Sequence, residues 1–200
     1  MHDSVKNLKL VKDKVNEIIN KKQLKTNPTI IAVSKTFDLN KIFPVIEYGH
    51  LDFGENKVQE AEDKWTKFKS TNKNIKLHML GKLQSNKVKK AVKLFDFIHS
   101  LDSERLALKI SQQIKELNKS VKIFIQVNLG SEPQKSGLML SELNTFYKYC
   151  TNDLSLNIQG LMCLPPIDSA SNKYFKILKD NSDRLNLKEI SMGMSSDFEN

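Results

Sequence analysis

Lys35 stands directly after TIIAVS, an apolar run that closes on a serine. A lysine delivered to the end of a buried segment loses solvation of its charge, which lowers its pKa and leaves a neutral amine. A neutral amine is a nucleophile toward aldehydes. The plainer reading is a lysine that reaches the rim and pairs with Glu55. A second stretch, SMGMSSD at 191–197, runs through a glycine turn into a helix start, where free N–H groups and serine hydroxyls suit a phosphate. Its plainer reading is a serine N-cap with Asp197 in the first turn. Taken together, an aldehyde-capturing lysine and a phosphate cradle describe pyridoxal 5'-phosphate (PLP) held as an internal aldimine.

Both stretches need a scaffold that brings them to one place. Apolar spacing predicts a helix over residues 3–23, then an alternation. Strands are expected at 30–34, 51–56, 76–81, 95–101, 121–130, 156–166 and 188–193. Helices are expected at 39–48 (with Pro44 as a breaker or kink), 57–68, 84–94, from Ser103 as N-cap, at 140–150 and at 172–184, and SSDFEN begins another. A loop covers 131–137. Strands alternating with helices mean parallel βαβ units. No GxGxxG follows the first strand, so a TIM-type α/β (β/α)8 barrel is preferred over a dinucleotide-binding sheet. One domain spans 1–200, with an extra N-terminal helix and seven of the eight strands. A barrel's active face collects strand ends: Ser34 and Lys35; Gly54, Glu55 and Asn56; His78, Met79 and Gly81; His99 and Ser100; Gln126 and Asn128; Met162; Ser191, Met192 and Gly193.

Bulk properties exclude several classes. No apolar run approaches the roughly 20 residues of a membrane span. The charged first 20 residues lack a signal-peptide core. Cys150 and Cys163 form no CxxC, which points to a reducing cytoplasm. A net charge of +9 raises nucleic acid as a partner. The excess is lysine spread over helix faces, however, with one cluster at 86–93 and only Arg105 and Arg184 as arginines. Phosphate-backbone readers favour guanidinium forks, so solvated surface lysine is preferred and nucleic acid is not expected.

IIAVSKT, FGENKVQEA, LHMLGKLQSNK, SLDS, QVNLGSEPQKSGL, IQGLMCLP and SMGMSSDFE, in that order, resemble the YggS/PROSC family of pyridoxal-phosphate homeostasis proteins. The resemblance runs from residue 30 onward and implies the fold of the alanine-racemase N-terminal barrel. It implies that Lys35 carries the cofactor as a Schiff base, that Asn56 lies beside it, and that Ser191, Met192, Gly193, Met194 and Ser195 contribute to the phosphate site. Gln84, Asn86 and Lys87 of GKLQSNK either serve the site or open a helix. Leu77 stands where the family usually has an aromatic. The family also continues into a strand of the type RIGTAIFG with an arginine near the pyridine ring, whereas this sequence stops at Asn200. An open seam, half a phosphate site and weaker cofactor retention are therefore expected, unless the barrel closes in another way. Arg105 and Arg184 read as helical surface residues and do not replace the missing arginine.

The implied activity is holding PLP and taking part in vitamin B6 and amino-acid homeostasis, as a monomeric carrier without turnover that serves PLP-dependent apoenzymes. The alternative is a PLP-dependent racemase, which needs acid/base groups on both faces of the bound substrate. Tyr48, Tyr147, Tyr149 and Tyr174 all fall in helical segments, away from the strand ends.

Overall fold

The computed structural model describes residues 2–130, 132, 136–166 and 171–199. The loop expected over 131–137 lies partly outside them. Seven parallel strands make one sheet in chain order. They are β1 Ala32–Val33, β2 Asp52–Glu55, β3 Lys76–Met79, β4 Phe97–Leu101, β5 Lys122–Gln126, β6 Ile158–Met162 and β7 Glu189–Ser191. Helix α1 Asp3–Lys21 precedes them. The connections carry α2 Leu39–Glu47, α3 Val58–Thr71, α4 Val88–Leu94, α5 Glu104–Leu117, α6 Leu143–Lys148 and α7 Ser171–Arg184. Sequential parallel strands joined by helical crossovers are the TIM-type arrangement expected from the alternation.

The sheet curls. Strands β4 and β7 are three positions apart, about 14 Å in a flat sheet, yet His99 Nδ1 and Ser191 Oγ are 2.8 Å apart. Lys14 on α1 meets Glu199 at 3.7 Å, so the chain after β7 returns to the helix that precedes β1. Strands β1 and β7 each pair on one side only, with β2 and β6, leaving the barrel open between them among the described residues.

Register sorts the strand residues into two faces. Phe53 pairs with Leu77, Gly54 with His78 and Met79 with Ile98, so paired residues of neighbouring strands share a face. Phe53, Leu77, Met79, Ile98, Ile123, Ile125 and Leu161 are fully buried. They face the helices, where Trp65 of α3 packs on Phe53 at 5.1 Å between ring centroids. Each such side chain contributes about 1.5–3 kcal/mol on burial. The opposite face lines the barrel interior and is more polar, holding Asp52, His78, His99 and Ser191.

Some elements differ from expectation. Strand β1 is two residues long rather than five, and Val33 is 44% exposed. An edge strand with no neighbour on its open side has nothing to extend its ladder. Pro44 neither breaks nor ends α2, which runs on to Glu47. The carbonyl that loses its donor belongs to exposed Asn40, which water can serve. Asp38 caps this helix through the Lys41 N–H at 3.1 Å. Ser103 occupies the N-cap of α5, but its side chain makes no capping bond. The helix expected at 140–150 is a composite, with a 3-10 turn at Leu140–Glu142, α6, and a π-helical turn at Tyr149–Asp153.

Candidate functional site

All seven strands are parallel, so their C-terminal ends share one rim. Lys35 lies there, in the turn after β1. That turn is pinned from several sides. The Ser34 N–H donates to Gly54 O at 2.9 Å, and the Phe37 N–H donates to Ser34 O at 3.2 Å. Ser34 Oγ donates to Glu55 Oε1 at 2.8 Å. Lys64 Nζ donates to Ser34 O at 2.8 Å and to Glu55 Oε1 at 2.9 Å. The Trp65 Nε1–H donates to the same carboxylate oxygen at 2.9 Å. Thr36, at φ 67°, gives its N–H to Glu60 Oε1 at 2.5 Å. That bond outweighs a small burial penalty and, with Lys64, holds the Glu60 carboxyl below the usual range.

The stretch FGENKVQEAEDKW is thus a clamp. Glu55 ends β2, and Glu60 and Lys64 sit one turn apart on α3. Sequence reading placed Glu55 on the rim but missed Glu60, Lys64 and Trp65. Their signal was the i, i+4 acid–lysine spacing that follows directly on GEN.

Lys35 is not sheltered, and it reaches the rim as the plainer reading expects but without pairing with Glu55. It is exposed, and among the described residues its amine makes no hydrogen bond or ion pair. Glu55 is already taken by Lys64. The exposure follows from the edge position of β1, which among the described residues gives Lys35 no wall on its open side.

Asn56 is half-buried at the end of β2 and its side chain makes no hydrogen bond among the described residues. Its backbone is crowded by Gly81, where an added Cβ would lie 2.2 Å from Asn56 O. Glycine is required there for the exit of β3 to pass beneath the GEN turn. Gln84, Asn86 and Lys87 open α4 through a 3-10 turn at Ser85–Lys87. Among the described residues their side chains make no hydrogen bond.

On the other side of the opening, Ser191 ends β7 and Gly193 turns the chain at φ +84°. The Asp197 and Phe198 N–H groups donate to Met194 O at 3.1 and 3.0 Å. Asp197 Oδ1 accepts the Met194 N–H at 2.5 Å, so this carboxylate, and not a serine, caps the turn. Among the described residues the N–H groups of Met192, Gly193, Ser195 and Ser196 find no protein acceptor. Met192 and Met194 are exposed. The Ser191 hydroxyl, beside this turn, lies 2.8 Å from His99 Nδ1.

That histidine belongs to a buried row. His78 Nε2 lies 3.1 Å from Asp52 Oδ1, and His78 Nδ1 lies 3.0 Å from His99 Nε2. Burial, then the charge of His78, pushes His99 down to about 3, so it stays neutral. Burial raises Asp52, but the His78 hydrogen bond and the charges of His78, Lys76 and His50 outweigh it and hold the carboxyl below its usual range. The strand-end reading gathered His78, His99 and Ser191 but not Asp52, which enters at the opposite end of β2.

The lysine cluster at 86–93 is partly matched by acids. Lys89 pairs with Glu116 at 2.6 Å and Lys90 with Glu62. Arg105 and Arg184 are exposed on α5 and α7, as expected. Among the described residues no helix is long and apolar enough to cross a membrane, and no cluster of His, Cys, Asp and Glu could hold a metal.

Comparison with known proteins sets this rim in context. The family model of the alanine racemase N-terminal domain matches residues 7–200. A pyridoxal phosphate homeostasis protein of Haemophilus influenzae is 31% identical over 203 residues, which cover 96% of this chain and 86% of the relative. PipY of Synechococcus elongatus PCC7942, solved with PLP bound, is 34% identical with a TM-score of 0.74, over 91% of this chain and 90% of that one. An alanine racemase of Clostridium difficile 630 shares the fold at 17% identity and a TM-score of 0.62, over 90% of this chain and 48% of that one. The chain belongs to the alanine racemase N-terminal domain family, among the pyridoxal phosphate homeostasis proteins.

Proposed function

We propose that this chain binds PLP through a covalent bond to Lys35 Nζ and holds it for exchange, without turnover, as part of vitamin B6 homeostasis. The observation that carries this reading is an unpaired, exposed amine on a turn fixed by Glu55, Lys64 and Glu60. Fixing the backbone while leaving the amine free pre-organises a nucleophile. Bound there, the cofactor supplies an aldehyde to the Lys35 amine and a phosphate ester to the 191–196 turn. The residues present fit both demands. Among the described residues Gly193 leaves open space, with nothing nearer than 3.8 Å to an added Cβ, beside N–H groups that lack acceptors there. The free Asn56 amide stands at the rim to contact the ring. PipY, a relative solved with PLP bound, supports the same reading.

Exposure of Lys35 suits a carrier more than a catalyst, since a catalyst gains by excluding water from the reacting bond. The four tyrosines support it too. Tyr48 caps α2, Tyr147 and Tyr149 lie within residues 143–153, and Tyr174 is on α7. On this reading a monomer of one domain delivers PLP to apoenzymes in the cytoplasm.

The test is a visible spectrum and a borohydride-trapped peptide map after incubation with PLP. Wild type should gain a new band and a reduced adduct on Lys35, and Lys35→Ala should gain neither. An adduct mapped to another lysine, or the same band in Lys35→Ala, overturns the proposal.

A further inference from the structure

The row Asp52, His78, His99, Ser191 crosses the barrel interior from one end toward the other. Asp52 starts β2 and lines a cavity of about 320 Å³ with Lys12, Asn16, Asn27 and His50, which gives the row an outlet at the end away from Lys35. Ser191 ends β7, beside the turn read above as the phosphate site. The rings between them are held flat, His78 stacked on Phe97 at 4.2 Å and His99 on Phe124 at 4.3 Å. Both histidines are buried, so their nitrogens answer only to each other and to the two ends.

The directions of these hydrogen bonds are not free. A carboxylate only accepts. His78 must therefore carry hydrogen on Nε2. In the neutral ring its Nδ1 is then bare and accepts the His99 Nε2–H. His99 Nδ1 is bare in turn and accepts the Ser191 hydroxyl hydrogen. In this state Ser191 shows only lone pairs to an anion at the turn. One proton on His78 reverses the row. His78 Nδ1–H then donates to His99 Nε2, His99 Nδ1–H donates to Ser191 Oγ, and the hydroxyl hydrogen is released toward the turn. Burial keeps His99 itself from holding that proton. The groups facing His78 are Asp52 from β2 and His99 from β4, and His50, just before β2, also feels its charge. Lys76 and His50 act on Asp52, and Lys122 stands 5.2 Å from the Phe97 ring on which His78 stacks.

We propose that Asp52, His78 and His99 are positioning residues that set the direction of the Ser191 hydroxyl, so that a phosphate monoester bound at the turn draws one proton onto His78. This rests on the reading that the turn takes the phosphate of PLP, and two measurements separate the two ideas. The first needs no ligand. Nitrogen-15 NMR of the imidazoles at pH 8 should show His99 with Nε2–H and a bare Nδ1. In Asp52→Asn, whose amide can also donate, the Nε2–H share of His99 should fall. A wild-type His99 carrying Nδ1–H, or an unchanged share in Asp52→Asn, overturns the proposal.

The second compares PLP with pyridoxal, which has the same aldehyde but no phosphate. Their affinity ratio cancels the chemistry at Lys35. As pH falls from 8 to 6 the ratio should rise about ten-fold more in wild type than in Ser191→Ala, the size of one hydrogen bond to a charged group. The variant cancels the phosphate's own titration. Equal pH dependence in the two proteins overturns the proposal. Should neither compound bind at all, the cofactor reading falls and the tautomers alone decide the hydrogen-bond row.

Discussion

Replacing Glu55 by glutamine tests whether the clamp is what fixes the Lys35 turn. The carboxylate is fully buried, and its Oε1 accepts from Ser34, Lys64 and Trp65 at 2.8, 2.9 and 2.9 Å. Glutamine keeps an acceptor of the same shape, so the three contacts can persist. The charge does not. Lys64, whose side chain is only 8% exposed, then keeps Glu60 at 3.4 Å as its anionic partner. Removing one partner of a buried pair costs about 3–5 kcal/mol. Glu60 and the Ser34 carbonyl still hold the ammonium, which reduces this to about 2–3 kcal/mol. The new amide nitrogen falls where Oε2 now sits, a buried atom with no partner among the described residues, and an unsatisfied donor there adds roughly 1 kcal/mol. The total of about 3–4 kcal/mol is a large part of the 5–15 kcal/mol that typical domains possess. Urea unfolding followed by fluorescence of Trp65, the only tryptophan, reads this directly. With a slope of about 2 kcal/mol per molar, the midpoint should fall by about 1.5–2 M. A loss below about 0.5 kcal/mol would refute the reasoning, because Lys64 would then have to be solvated in spite of its burial. The double variant Glu55→Gln with Lys64→Met should recover part of the loss, since no buried charge is left unpaired.

Other consequences can be checked separately. Gly160→Ala places a Cβ 1.9 Å from Glu189 O, on the backbone of β7 two residues before Ser191. A cost of about 3 kcal/mol, or a melting-point fall of about 6–12 °C, is expected, and a change within 2 °C would contradict the close approach of β6 and β7. His99 is held at about 3 when folded, against about 6.5 for a free imidazole, so the unfolded chain takes up a proton that the folded one refuses. That stability is complete above the unfolded value and drains as pH falls toward the folded one. Between pH 7.5 and 5.5 the loss is about 1.4 kcal/mol, and the difference between wild type and His99→Gln in urea should show that slope. Burial, with Glu104 beside Cys150 and Asp197 beside Cys163, pushes both thiols up to about 12. At pH 8 roughly one thiol in ten thousand is ionised, so iodoacetamide should label them only as the protein unfolds. Labelling of native protein within minutes would show that one of the two is reachable.

The sheet was legible because its signals are local. Runs such as VKIFIQV carry their own burial pattern, and the intervening helices show their spacing. Strand lengths were not, because they depend on neighbours. Residues 30–34 are as apolar as the run that becomes β5, yet only Ala32 and Val33 join a ladder, since β1 is paired on one side. The helix at 140–150 was placed correctly but its π-helical end was not. That turn is set by a Leu154 N–H reaching Tyr149 O at 3.2 Å, a choice that the spacing of apolar residues does not encode.

The site divides along the same line. Lys35 and the glycine turn at 193 could be read because each sits at a visible boundary, the end of an apolar run or a break in one. The burial assigned to Lys35 was wrong because burial belongs to whatever stands opposite, and nothing among the described residues covers that side of β1. Asp52 was missed for the converse reason. It lies at the start of its strand, the end that a barrel does not normally use for chemistry, and only the curl of the sheet connects it to Ser191 through two histidines. A side chain's partner across a barrel is fixed by register and curvature together. Here β2 in step with β3, and β4 bent round to β7, turn four residues scattered over 140 positions into one continuous row.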